Sequence, residues 1–289
     1  MTGATENGFD LAATPMTIGR VELRVRDLDR VATFYRDVLG LKPLEATADA
    51  VSLGAGGRVL LHLFGDPSLA PRDPHAAGIF HSAFLLPSRF DLGCWLTHAI
   101  AQNARISGAS DHKVSEAIYL SDPEGNGIEM YADRPASRWR LAADQLSMTT
   151  DPLDLDALME AAAGRVWNGL PDGSVIGHVH LQVGDIALAE RFYADVLGFA
   201  VAHRYPGASF FASGGYHHQL AGNMWNSRGA GRRSDEAAGL KSFEITLRNP
   251  ADLDAIVDRA HRASLATQNQ RGAISLRDPW GIQVKLMAD

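Results

Sequence analysis

From Ile18 the chain alternates apolar and charged residues. Val21, Leu23 and Val25 are apolar and Arg20, Glu22 and Arg24 between them are charged, which predicts a strand with two different faces. Asp27 then stands as a helix N-cap, Val31, Phe34, Tyr35 and Val38 form a helical stripe, and Gly40 closes it. Short strands follow around 50–53 and 58–64, across a Gly-rich turn. The same text returns 158 residues later, where 18–40 and 176–198 share 12 of 23 positions. The shared positions include Ile-Gly, three alternating apolars, Asp, Phe-Tyr and Asp-Val-Leu-Gly. A match of this length at one offset marks an internal duplication.

A second kind of unit fills each half. GIFHSAFLLPSRFDLGCWLTHAI opens at Gly78 and GLKSFEITLRNPADLDAIVDRA at Gly239, each a strand, a Pro and then a helix. Their ends also correspond, as IYLSDPEGNGIEMYAD (118–133) and ISLRDPWGIQVKLMAD (274–289). The plan is α+β, with four βαβββ modules at 17–66, 78–133, 174–225 and 239–289. They form two tandem domains, 17–133 and 174–289. Residues 1–16 read as a loosely held arm. Residues 134–173 read as a connector, with a helical stripe (Leu153, Leu155, Leu158, Met159) over 152–163.

One stretch within this plan carries an unusual residue. Val114, Glu116, Ile118 and Leu120 alternate as a strand, Asp122-Pro-Glu-Gly-Asn-Gly makes a tight turn, and Glu129 then stands between Ile128 and Met130. Successive strand side chains point to opposite faces, so Glu129 faces away from the side its neighbours bury. A carboxylate aimed into a sheet interior needs a partner, and a cation is one. The composition bounds the rest. With 46% hydrophobic and 21% charged residues it is that of an ordinary globular protein. The net charge of −7, with no basic run, argues against nucleic acid. No apolar run is long enough for a membrane span, and the first 16 residues lack the pattern of a signal peptide. The lone Cys94 reads as a small buried hydrophobe on a helix, and a cytoplasmic location is expected.

The duplicated βαβββ plan, the HVHLQVGD…FYADVLGF text and the DPEGNGIEMY ending resemble the vicinal oxygen chelate superfamily. That group includes glyoxalase I, extradiol dioxygenases and bleomycin-resistance proteins. SDHKVSEAIYLSDPEGNGIEMYADRP with GGYHHQLAGNMW is most similar to two-domain bacterial catechol 2,3-dioxygenases. The resemblance implies paired modules curled into U-shaped half-barrel sheets with outer helices. It places metal ligands on the first and last strands of each module.

At those positions module 2 offers His81 and Glu129, and module 3 offers His178, with His180 on the same face and His217, His218 and Gln219 on its last strand. Module 1 offers Arg20, which repels a metal and could pair with Glu22, and module 4 offers Ser242 and Lys285. Ligands survive only in modules 2 and 3. Pairing these two across the domain boundary gathers His81, Glu129 and His178 into one site, and leaves a degenerate site between modules 1 and 4. Two His and one carboxylate with open positions form the facial triad of non-haem Fe(II) chemistry, with Mn, Zn, Ni and Co as alternatives. A glyoxalase would place a second Glu near 217–219, and none stands there.

The resemblance further assigns His218 as acid/base, Tyr119 as a hydrogen-bonding residue near the metal, and His112 as a loop residue closing over substrate. His180 and His217 are pocket candidates, and strand parity does not decide which of His217 and His218 faces the metal. His62, His75, His98, His203 and His261 match nothing and read as surface or packing residues. Glu116 reads equally as support for the site or as a structural ion pair. The expected activity is extradiol cleavage of a catechol-type aromatic by O2. A glyoxalase-like isomerase or lyase and a non-enzymatic small-molecule-binding protein are the alternatives. Homo-oligomerisation is left open.

Overall fold

The computed structural model describes residues 9–142, 145–162, 164–270 and 273–288, so residues 1–8 of the expected arm and residue 163 of the expected connector helix lie outside it. Module 1 runs β1 (Met16–Val25), α1 (Leu28–Asp37), β2 (Lys42–Ala46), β3 (Ala50–Ala55) and β4 (Arg58–Gly65). Module 2 runs β5 (Gly78–Leu85), α2 (Arg89–Ala101), β6 (Ile106–Asp111), β7 (Ser115–Ser121) and β8 (Gly127–Asp133). The connector holds β9 (Leu141–Ala142), β10 (Gln145–Leu146), β11 (Asp151–Pro152) and α3 (Leu155–Ala161). Module 3 opens with β12 (Val175–Gln182) and α4 (Ile186–Glu190), which continues as a π-helix over Arg191–Val196. It ends with β13 (Ala200–Tyr205), β14 (Ala208–Ala212) and β15 (Leu220–Asn223). Module 4 runs β16 (Gly239–Leu247), α5 (Pro250–Arg262), β17 (Gln268–Gln270), β18 (Ala273–Arg277) and β19 (Gln283–Ala288).

The strands curl into two half-barrel sheets. One has the order β11-β6-β7-β8-β5-β12-β15-β14-β13, and the other β17-β18-β19-β16-β1-β4-β3-β2. Module 2 is therefore joined to module 3, and module 1 to module 4, each through antiparallel first strands. The pairing across the sequence halves agrees with the distribution of ligand residues. Buried tyrosines stitch each half internally: Tyr35 of α1 donates to Asp122 of module 2 at 3.4 Å, and Tyr193 of the π-helix donates to Asp278 of module 4 at 2.9 Å. These are the Phe-Tyr and Asp-Pro texts that recur in sequence. A large apolar cluster that includes Val21, Leu23, Ile128, Met130, Val179 and Phe243 runs between sheets and helices, and a small separate one gathers Ala83, Ala117 and Tyr131.

The Ile-Gly pair that opens each repeat marks a β-bulge, because pairing slips between Ile18 and Val21 and again between Ile176 and His178. The slip lets Ile176 and Val179 both join the core, while His178 turns to the concave face. Gly177 is also a close approach, since a Cβ there would sit 1.7 Å from the Tyr131 hydroxyl. The described part of the arm is docked rather than loose: Leu11 and Thr14 are buried, Gln219 Nε2 donates to the Met16 carbonyl at 3.1 Å, and Phe9 stacks on Trp139. Its apolar Phe9 and Leu11 are too few to show a sequence period, yet they suffice to anchor it. Cys94 is buried on α2, and no described helix is long and apolar enough to cross a membrane.

Candidate metal centre

Four adjacent strands aim one row of side chains at the concave face. Tyr119 on β7 lies opposite Glu129 on β8, Glu129 opposite Ala83 on β5, and Ala83 opposite His178 on β12. His81 stands two residues from Ala83 on the same face, paired with His180. Ala83 is fully buried, and its small side chain leaves the gap across which Glu129 and His178 meet. Nothing in the sequence pattern singles it out.

The three predicted ligand atoms form a compact triangle. His81 Nε2 lies 2.9 Å from Glu129 Oε2, His178 Nε2 lies 3.1 Å from the same oxygen, and the two nitrogens are 3.3 Å apart. Ligands cis to one another on a divalent first-row ion, with bonds of about 2.1 Å, stand about 3.0 Å apart, so the triangle fits such an ion. These residues form the one candidate cluster of metal-binding side chains among the described residues. Burial drives the His178 imidazole down to about 4, against the attraction of Glu129, and so keeps it neutral. Burial acts to raise the Glu129 carboxyl, but the imidazoles of His178 and His81 outweigh it and hold it well below the usual carboxylate range. An ionised carboxylate beside neutral imidazole is the donor set a divalent cation requires.

The triangle opens into a cavity of about 700 Å³. His218 borders it, its ring centroid 4.2 Å from that of His178. His180 borders it as well, and its Nε2 pairs with the Asn223 amide at 2.9 Å. Burial, then the neighbouring imidazoles, push His180 and His218 well below the ordinary histidine range. On the loop side His112 Nδ1 contacts the Thr149 carbonyl at 2.6 Å, so that nitrogen carries the proton and donates it. The bare Nε2 then accepts from the Tyr119 hydroxyl at 2.6 Å. Burial and the Glu129 charge keep that phenol well above its usual range. Phe80, Phe210 and Trp225 wall the other side, and the Trp225 and Tyr205 rings reach solvent at the rim.

Several expectations need correction. His217 and His218 precede β15 rather than lying on it, and His217 does not border the cavity. His217 turns back to Asp133, with Nε2 2.9 Å from Oδ1, because the chain before β15 is coil and does not alternate. His203, read as a packing residue, lines the cavity wall from β13. Glu116 is a structural ion pair, held by Arg89 at 2.6 Å and Arg134 at 3.0 Å. In the degenerate site the pairing of Arg20 with Glu22 is present at 3.3 Å. Lys285 approaches Glu22 more closely, at 2.7 Å, and Ser242 donates to it at 2.7 Å.

Comparison with known proteins places this geometry among relatives. The model of the Glyoxalase/Bleomycin resistance protein/Dioxygenase superfamily matches residues 17–130 and 175–286. The chain is 40% identical over 267 residues to Catechol-2,3-dioxygenase of Bacillus subtilis (strain 168), spanning 91% of this chain and 93% of that protein. It is 28% identical over 202 residues to 2,2',3-trihydroxybiphenyl dioxygenase of Sphingomonas paucimobilis, spanning 66% and 58%. Glyoxalase I of Zea mays shares the fold, with a TM-score of 0.59 at 16% identity over 96% of this chain and 94% of that one.

Proposed function

The chain belongs to the glyoxalase/bleomycin resistance protein/dioxygenase superfamily, and from that premise we propose that it is an Fe(II)-dependent extradiol dioxygenase, which opens a catechol-type ring with both atoms of O2. The observation that carries this reading is a two-His, one-carboxylate triangle that opens into a cavity with no further carboxylate in its cluster. That leaves one whole side for substrate and O2, where an isomerase would close it with a fourth strong ligand. The likeness to Catechol-2,3-dioxygenase supports the same choice.

His81, His178 and Glu129 would hold the ion. Iron(II) there would supply a redox-flexible Lewis acid that gathers a catecholate and O2 side by side. The remaining work falls to the chain. His218, neutral beside His178, takes the phenolic proton of the entering substrate. Tyr119 commits its own proton to His112, so its oxygen lone pairs are free to accept from a substrate hydroxyl. Phe80, Phe210 and Trp225 offer apolar faces to the ring.

Metal analysis of protein purified without air, followed by an oxygen electrode with catechol, tests the proposal. Stoichiometric iron, one O2 consumed per catechol and a yellow ring-fission product are expected. Stoichiometric zinc or nickel with isomerase activity, or iron-loaded protein that consumes no O2 across a panel of catechols, would overturn it.

A further inference from the structure

His218 heads a chain of three polar side chains. His218 Nδ1 is 2.9 Å from His217 Nδ1, and His217 Nε2 is 2.9 Å from Asp133 Oδ1. His217 is fully buried in an aromatic enclosure: Tyr216 lies over it at 3.9 Å, with Trp139 at 5.4 Å and Tyr131 at 6.2 Å. Phe9 of the arm covers Trp139 and Tyr216 in turn. Asp133 ends β8, four residues beyond Glu129, and borders a separate cleft of about 950 Å³.

The direction of this chain follows from what each group can do. An ionised carboxylate only accepts, so His217 Nε2 must carry the proton it donates to Asp133. With its one proton on Nε2, His217 presents a bare Nδ1 to His218. Two bare nitrogens at 2.9 Å would repel, so His218 Nδ1 carries a proton and donates it to His217. His218 Nε2 is left as a bare lone pair on a ring that borders the cavity, with no hydrogen-bond partner among the described residues.

We propose that Asp133 and His217 are positioning residues that lock His218 in its Nδ1–H tautomer, so that it meets the substrate as a base. The inference rests on the extradiol reading for the substrate, a catechol, but not for the tautomer. In the step it serves, a phenolic O–H bond breaks and an N–H bond forms at His218 Nε2. The proton stays on the resulting imidazolium, which is stabilised through Nδ1–H by His217 and, behind it, by the Asp133 carboxylate. The fixed ring angle and the fixed tautomer are what the pair supplies. Such a second layer commonly decides how well a catalytic imidazole performs.

The test combines a spectrum with kinetics. Nitrogen-15 NMR of the zinc-loaded, diamagnetic protein should show His218 protonated at Nδ1 and bare at Nε2. Asp133→Asn places at the end of the chain an amide that can accept or donate, so both His218 tautomers should appear. In iron-loaded Asp133→Asn, kcat should fall about 10- to 100-fold, with KM for catechol and iron content unchanged. Asp133→Glu should restore the single tautomer and most of kcat. His217→Phe, which keeps the ring and removes both nitrogens, should lose the lock altogether. A wild-type His218 protonated at Nε2, or variants that keep one tautomer and stay within twofold in kcat, would overturn the inference. The zinc spectrum reads the tautomer whether or not any catechol is cleaved, so failure of the extradiol reading would show separately, as iron-loaded wild type without O2 uptake.

Discussion

Lys285→Met tests how the degenerate half of the molecule is held together. Glu22 is buried on β1 and takes Lys285 Nζ at 2.7 Å, Ser242 Oγ at 2.7 Å and Arg20 Nε at 3.3 Å. Burial acts to raise its carboxyl, but the bonds from Lys285 and Ser242 outweigh this and keep it below its usual value. Removing one partner of a buried pair costs about 3–5 kcal/mol. Here Arg20 remains, although it is shared with Glu244 at 2.9 Å, and Lys241 stands 4.0 Å away, so a loss of about 2–3 kcal/mol is expected. The chain also has a ceiling, because Glu22 can take up a proton. At pH 7, protonating a carboxyl of ordinary pKa 4.3 costs about 3.7 kcal/mol, and at pH 5 only about 1 kcal/mol. The mutant's folded carboxyl has a raised pKa, so it binds a proton that the unfolded chain releases, and its stability relative to wild type must improve as pH falls. Urea unfolding of metal-free protein at pH 7 and pH 5 measures both values, and the pH 7 loss corresponds to a Tm drop of about 5–10 °C. The double change Glu22→Leu with Lys285→Met should recover most of the loss. A pH 7 cost under about 0.5 kcal/mol, or one that does not shrink at pH 5, would refute the reasoning.

Three further outcomes are expected. Glu129→Ala removes the anionic corner of the triangle, so stoichiometric metal and O2 uptake should both vanish while the circular dichroism spectrum stays that of wild type. Ala83→Leu fills the gap between Glu129 and His178. It should cost about 1–3 kcal/mol from overpacking and lower metal content with no ligand altered, both readable by urea unfolding and metal analysis. Asp278 is buried, which raises its carboxyl to about 7 despite the bond from Tyr193. Between pH 4 and 7 the folded chain therefore holds a proton that the unfolded chain has lost. Stability from this group falls as pH rises through that window, by up to about 4 kcal/mol, and is level above it. The difference in unfolding free energy between wild type and Asp278→Asn should follow that curve, and a difference independent of pH would contradict it.

What could be read in the sequence depended on periodicity. The repeated Ile-Gly followed by alternating apolars exposed modules 1 and 3, the matching strand–Pro–helix texts exposed modules 2 and 4, and the family resemblance then singled out His81, Glu129 and His178 on their strands. The cross-half pairing became legible only through the family resemblance, which set the ligand positions at which Arg20, Ser242 and Lys285 stand. The remainder lay where periodicity fails. His217 and His218 precede β15 in coil, so alternation could not say which faces the cavity. Asp133 is 84 residues from His217, and only the β8–β5–β12 arrangement brings them together. Ala83 matters by its smallness, which an apolar strand does not advertise. The Tyr35–Asp122 and Tyr193–Asp278 stitches were seen as repeated text but not as contacts, since each joins a helix to a hairpin 85 or more residues away.

The two sheets solve one electrostatic problem in two ways. Each seam of first strands carries a buried carboxylate on the concave side: Glu129 beside β5 and β12, and Glu22 on β1 against β16. A charge so placed must be neutralised. At Glu22 the chain supplies its own cations, Lys285 and Arg20, tethered and already in contact, so an added ion would gain little and would have to displace an ammonium. At Glu129 the nearest groups are the imidazoles of His81 and His178, which hold the carboxylate ionised and leave its remaining side facing the cavity. The duplication thus allowed one seam to become a closed ionic core that stabilises the fold. The other seam stays open on one side, where Glu129, His81 and His178 line the cavity.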